Sequence, residues 1–228
     1  MPKDIGDAIE EALRIARMSG EPAVIGEIPV TVGLVCFDMD GTLVKMESIN
    51  ALAKAAGKGE RMEKLTLQAM RGEVDFRENF IGRVRMLTGI SVTFVQSLAK
   101  EMPCADGLEN LMNNLRRRNI RTAIITGNFN LFGDTLKERF GFDYIFTTEP
   151  EIENGLLTGE ICGEVIDAQA KERILKQLCR ELDIPLESAI AVGDGANDLP
   201  MLSAAGVAVV YNAISAKKGI DEVISKIV

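Results

Sequence analysis

The apolar pattern along the chain switches between two periods. Val35-Cys36-Phe37, Thr122-Ala123-Ile124-Ile125 and residues 189–192 are short apolar runs without alternation, as expected of strands buried on both faces of a parallel sheet. Between them the spacing becomes helical. Leu108, Leu111, Met112 and Leu115 share one face of a predicted helix over residues 107–119, and further helices are predicted over 131–140 and 168–182. A third strand is predicted over 142–147, and a hairpin over 152–161 turns at Asn154-Gly155, a pair that tolerates the left-handed backbone a tight turn needs. Strands alternating with helices predict an α/β fold with a parallel sheet at its core.

Two stretches depart from this alternation. Residues 46–102 are rich in helix formers, poor in β-branched runs and punctuated by glycines at 57, 59, 72, 82 and 89, which predicts short helical pieces. They read as a small helical cap inserted after the first strand, a lid able to exclude water. Residues 4–18 carry Ile5, Ala8, Ile9, Ala12, Leu13 and Ala16 on one helical stripe, and residues 24–32 form a Pro- and Gly-punctuated connector. The stripe packs on its own domain or forms a homodimer contact. The predicted organisation is therefore an N-terminal helix and connector over 1–32, an α/β core over 33–45 and 103–228, and a cap over 46–102.

Composition narrows the chemistry. A formal net charge of -8 argues against nucleic acid as a partner, because neutralising phosphates requires a basic face. The one basic run, Arg116-Arg117-Arg118, falls late in a helix, where cations suit the helix dipole. Four cysteines without Cys-x-x-Cys spacing predict reduced thiols and a cytoplasmic location. No apolar run reaches the ~18 residues of a membrane span, so no membrane partner is expected. The chain has no histidine, which excludes imidazole bases, histidine metal ligands and triads of the Ser-His-Asp type. Proton transfer is left to carboxylates, lysines, tyrosines or water.

Acids gather where strands end. Asp38 and Asp40 follow the first strand and point into one crevice by alternation, and in open α/β sheets ligands bind at that edge. By itself such an Asp-x-Asp-Gly turn also serves as a solvated strand cap. Asp194 and Asp198 repeat the chemistry after the strand at 189–192. Thr126-Gly127 ends another strand and offers a hydroxyl and backbone N–H groups to an anion. Lys171 lies in the first turn of a helix, where a cation opposes the dipole unless an anion sits beside it. Converging on one sheet edge, these groups match what magnesium-dependent phosphoryl transfer requires. A phosphorylatable receiver module shares the acid pair, the hydroxyl and the lysine, but is much shorter and lacks a cap.

In order and spacing, Asp38-Met39-Asp40-Gly41-Thr42, Thr126-Gly127, Lys171 and Gly193-Asp194-Gly195-Ala196-Asn197-Asp198 resemble the four motifs of the haloacid dehalogenase superfamily. The likeness covers about residues 33–212 and is nearest to the phosphoserine phosphatases, through Glu47, the run Ala69-Met70-Arg71-Gly72-Glu73-Val74-Asp75-Phe76, Arg83, and Leu157-Thr158-Gly159-Glu160. It implies a Rossmann-like core and an enzyme that hydrolyses a small phosphorylated metabolite, O-phospho-L-serine first among them, through an aspartyl-phosphate. Another small phosphate monoester, or transfer to another alcohol, is the alternative. The resemblance further implies Asp38 as nucleophile and Asp40 as acid and then base. Mg2+ would be held by Asp38, the Asp40 carbonyl and Asp194. Thr126, Gly127 and Lys171 would hold the phosphoryl oxygens, with Asn197 and Asp198 in support. Glu47 and Arg83 would face the substrate's ammonium and carboxylate, with Met70 and Phe76 as an apolar wall. Many such phosphatases carry Ser where Gly41 and Thr126 stand and Gly where Asn128 stands, and residues 1–32 match nothing in the minimal pattern.

Overall fold

The computed structural model describes residues 32–60, 62, 65 and 76–211, so residues 4–18, the connector up to residue 31 and Met70 lie outside the described residues. The first strand, β1 (Leu34–Phe37), is buried along its whole length. It is followed by the cap helices α1 (Ser48–Ala55), α2 (Phe76–Arg85) and α3 (Val92–Lys100). The chain then forms α4 (Leu108–Arg117), β2 (Arg121–Phe129), α5 (Asn130–Phe140), β3 (Tyr144–Glu153), β4 (Leu156–Cys162) and α6 (Ala168–Glu181). The last elements among the described residues are β5 (Ala189–Gly193), α7 (Leu199–Ala204) and β6 (Val207–Val210).

The sheet order is β4-β3-β2-β1-β5-β6. β1 is central, parallel to β2 on one side and to β5 on the other, while β4 alone runs antiparallel, against β3. Alternation along β1 splits its side chains between two cores. Leu34 and Cys36 join Ala189 and Ala191 under α6 and α7, whereas Val35 and Phe37 pack with Ile124 and Val192 on the other face. Helix α6 buries Ile174, Leu175 and Leu178 against the first of these clusters, roughly 1.5–3 kcal/mol for each side chain. That burial fixes the helix whose first turn carries Lys171.

Two expectations are corrected. Gly82 does not break the cap but lies inside α2. Its cost in a helix interior is only about 1 kcal/mol relative to Ala, and Phe80 and Val84, on either side of it, are anchored in the core. The strand predicted to stop at residue 147 continues as one element to Glu153, first beside β2 and then beside β4. The ladder shifts register between Pro150 and Ile152, a bulge of the kind that tolerates a residue without an N–H. The turn does fall at Asn154 and Gly155, with φ of 52° and 76°.

The cap is joined to the core by more than its two chain crossings. Gly89 N–H donates to the Leu157 carbonyl, Leu157 N–H to the Ile90 carbonyl, and Val92 N–H to the Gly155 carbonyl. Thr88 Oγ1 adds a bond to the Thr158 carbonyl at 3.0 Å. Residues 88–92 thus lie along β4 like a short extra strand.

Candidate active site

Strand tips from three parts of the chain meet at the carboxyl edge of the sheet. Asp38 continues the ladder of β1, its N–H donating to the Val192 carbonyl at 2.9 Å. Asp194 follows β5, and Asp198 closes the loop after it by accepting from the N–H groups of Asp194 at 3.2 Å and Gly195 at 3.0 Å. Gly193 is required there, because a Cβ would lie 2.6 Å from the Asp198 carboxyl carbon. Gly41 turns the chain after Asp40 with φ of 72°, and a side chain at that position would meet the Asp194 carboxylate.

Lys171 links these tips. The N-cap Asp167 accepts from Ala170 N–H and starts α6, which brings the fully buried ammonium within 2.5 Å of Asp38 Oδ1 and 2.6 Å of Asp198 Oδ1. The lysine that opposes its own helix dipole therefore has two anions as partners. Burial works against its charge, but Asp198 and Asp38 outweigh burial and hold its pKa well above the ordinary lysine range.

Carboxylate oxygens of Asp38, Asp194 and Asp198 all lie within 4.8 Å of one another. One ammonium does not balance three buried acids. Burial first, and then the charge of Asp198, pushes Asp38 up to about 7 despite Lys171. Asp194 is pushed up to about 9 by burial and by the negative charges of Asp38 and Asp198. Hard oxygen donors in deficit of positive charge form a set that suits a small divalent cation, and magnesium favours this kind of site. Thr42 Oγ1 orients Asp194 with a bond of 3.4 Å to its Oδ1.

The Asp40 carboxylate stands apart from this cluster. Its Oδ2 accepts from Ser48 N–H and Asn128 Nδ2, both at 2.8 Å, and its Oδ1 from Ser48 Oγ at 2.5 Å. Burial and then the Glu47 charge raise its pKa to about 7, against the pull of these donors. Thr126 is buried in β2 where the register with β3 breaks, between Ile125 and Phe129, and its hydroxyl accepts from Asn128 N–H at 3.2 Å. Such a bulge lifts the Thr126-Gly127-Asn128 backbone out of the ladder.

On the cap side, Glu47 sits at the N-cap of α1, and burial raises its pKa although Arg83 pulls it down. Arg83, on α2, is buried, with its guanidinium 5.5 Å from the centre of the Phe80 ring. Its Nε is a buried donor with no partner among the described residues. Phe76 opens α2, and Asn197 lies in the short 3-10 turn Ala196–Asp198. Ser48 and the Asn128 side chain are additions to the residues read from sequence. Ser48 follows the helix-starting Glu47 as an unremarkable polar residue, and its bond to Asp40 is visible only in three dimensions.

Comparison with known proteins agrees with this geometry. Residues 32–206 match the family model for haloacid dehalogenase-like hydrolases. A phosphoserine phosphatase of Archaeoglobus fulgidus is 44% identical over 85% of this chain and 56% of its own length. One from Idiomarina loihiensis is 37% identical over 83% of this chain and 86% of its own. The chain thus spans little more than half of the Archaeoglobus relative but most of the Idiomarina one. A solved phosphoserine phosphatase carrying an analogue of the phospho-aspartyl intermediate superposes with a TM-score of 0.78 at 32% identity, over 87% of this chain and all of that one. The Asp38, Asp194 and Asp198 triad matches the Mg2+-binding motif of such enzymes. The chain belongs to the haloacid dehalogenase-like hydrolases and is closely related to the phosphoserine phosphatases among them.

Proposed function

We propose that the chain is a magnesium-dependent phosphatase that hydrolyses O-phospho-L-serine through an aspartyl-phosphate on Asp38. The observation that carries this reading is the Lys171 ammonium held between Asp38 and Asp198 beside Asp194. A carboxylate attacks a phosphate dianion only where fixed positive charge offsets their repulsion. Asp38, Asp194 and the Asp40 main-chain carbonyl would hold magnesium, which when bound supplies the second fixed positive charge beside the phosphoryl group.

In the first step an Asp38 oxygen forms a bond to phosphorus as the bond from phosphorus to the serine oxygen breaks. The departing electron pair stays on that oxygen, which takes the proton of Asp40. In the second step the Asp40 carboxylate takes a proton from water, whose oxygen bonds to phosphorus while the bond from phosphorus to the Asp38 oxygen breaks. Phosphate leaves, Asp38 is again a carboxylate, and Asp40 again carries a proton. A side chain with a pKa near 7 suits both halves of that cycle.

Thr126, Gly127 and Lys171 hold the phosphoryl oxygens in this reading, with Asn197 and Asp198 in support. The unpartnered Arg83 Nε offers a carboxylate a charge-assisted bond, and Glu47 faces the ammonium. Phe76 and Met70 contribute the apolar wall. The four free thiols fit a cytoplasmic home, and the net charge of -8 fits a metabolite rather than a nucleic acid as partner. No helix among the described residues is long and apolar enough to cross a membrane. For residues 4–18 packing on their own domain and a homodimer contact stay the two alternatives of this reading.

The test is a screen of phosphorylated metabolites with purified protein and magnesium, reading phosphate release. The expected result is the highest kcat/KM for phosphoserine, abolished by a chelator. Preference for a metabolite without an amino acid head group would remove the substrate assignment, and absence of turnover on every phosphate ester would remove the reaction.

A further inference from the structure

Asn128 follows Gly127 at the end of β2, and its side chain is committed at both ends. Its Oδ1 accepts from Phe129 N–H at 2.7 Å, which fixes the orientation of the amide and turns Nδ2 toward Asp40 Oδ2 at 2.8 Å. The residue is 5% exposed and lies in the bulge that ends β2. The bond therefore ties the tip of β2 to the tip of β1 across 88 positions of sequence.

We propose that Asn128 is a positioning residue that aims Asp40, leaving Oδ1 as the oxygen through which the proton passes. This rests on the reading of Asp40 as acid and base given above. Oδ2 faces two N–H groups, those of Asn128 and Ser48, and an N–H donor cannot accept a proton back. Among the described residues Oδ1 accepts from the Ser48 hydroxyl alone, which donates or accepts as its rotor turns. Losing a proton from Oδ1 to the departing oxygen, or taking one there from water, leaves every bond to Oδ2 intact. Without Asn128 the carboxylate keeps the two bonds from Ser48 but loses its one tie to the tip of β2, so its aim loosens. Proximity then falls at the step that needs the proton.

The test separates leaving groups. An alkoxide such as the serine oxygen needs protonation to depart, whereas p-nitrophenolate does not. Both esters load the same nucleophile, and kcat/KM covers only the steps up to phosphoryl transfer. In the full-length protein with magnesium, Asn128→Ala is expected to lower kcat/KM for phosphoserine on the order of 10–100-fold. For p-nitrophenyl phosphate the expected loss is under about threefold, and competitive inhibition by inorganic phosphate is unchanged. Asn128→Gly removes the donor without placing a new charge beside Asp40. It is expected to show the same split, and it carries the test should the alanine variant not fold. Equal losses on both esters with weakened phosphate inhibition would assign Asn128 to the phosphoryl group and overturn the proposal, as would unchanged kinetics. A wild-type protein that hydrolyses the aryl ester but no alkyl phosphate would instead overturn the assignment of Asp40 as acid, and the two failures are thereby distinct.

Discussion

Asp38, Asp40 and Asp194 owe their raised pKa first to burial and then to anionic neighbours, and this gives the magnesium-free protein a pH dependence with a definite sign. In the unfolded chain these carboxyls titrate near 4. Folded, Asp38 and Asp40 titrate at about 7 and Asp194 at about 9. Between those limits the native state binds more protons, so stability falls as pH rises. Thermal unfolding in chelator is expected to show the midpoint dropping steadily from pH 5 to 9. Magnesium displaces those protons, flattens the drop and binds more tightly as pH rises. A chelator-insensitive profile would contradict the charge balance drawn for the triad. A second expectation concerns Arg83, whose buried Nε lacks a partner among the described residues. Arg83→Ala is expected to raise KM for phosphoserine tenfold or more, in the range of one lost charge-assisted bond of ~1.5–3 kcal/mol. A phosphate ester without a carboxylate is expected to change by less than about threefold, and steady-state kinetics on the two esters decides it. Equal effects would remove Arg83 from substrate selection.

At the level of elements, the cap divides. Residues 88–92 are hydrogen-bonded along β4, while α1 and α2 reach the core through the Asp40–Ser48 contact, an exposed Arg85–Glu160 ion pair at 3.2 Å and apolar packing of Leu52, Phe80 and Val84. Opening the site by swinging the whole insert would break the backbone bonds of Gly89, Leu157 and Val92. Opening at α1 and α2 spares them. Hydrogen exchange during turnover is therefore expected to leave the amides of Gly89, Leu157 and Val92 protected like strand amides, while amides of α2 exchange faster. Simultaneous loss of protection in both groups would show a single hinged lid. The division was not legible in the sequence. Residues 89–92, Gly-Ile-Ser-Val, have no length in which a strand period could show itself. Val207–Val210 has the same difficulty, since four apolar residues fit a strand or a buried helical turn equally well. Strands and helices bounded by glycine or by a capping Asp were legible, as with β1 and α6, because burial pattern and chain breaks agree there.

For the molecule as a whole, topology is what turns scattered motifs into one site. β1 is flanked by β2 and β5 in parallel, so Asp38, Thr126 and Asp194 emerge on one edge, and α6 delivers Lys171 to the same place. That convergence could be read from sequence because parallel strands share an edge. The bonds of Ser48 and Asn128 to Asp40 could not, because polar residues joined across the fold leave no periodic trace. The most direct test of the account is to quench the protein in acid during turnover of phosphoserine with magnesium and map the phosphoryl group by mass spectrometry. The account predicts an acid-stable, hydroxylamine-labile phosphoryl group on the peptide containing Asp38, with both the group and turnover absent from Asp38→Asn. A phosphoryl group on another residue, or an Asp38→Asn variant that retains turnover, would contradict it.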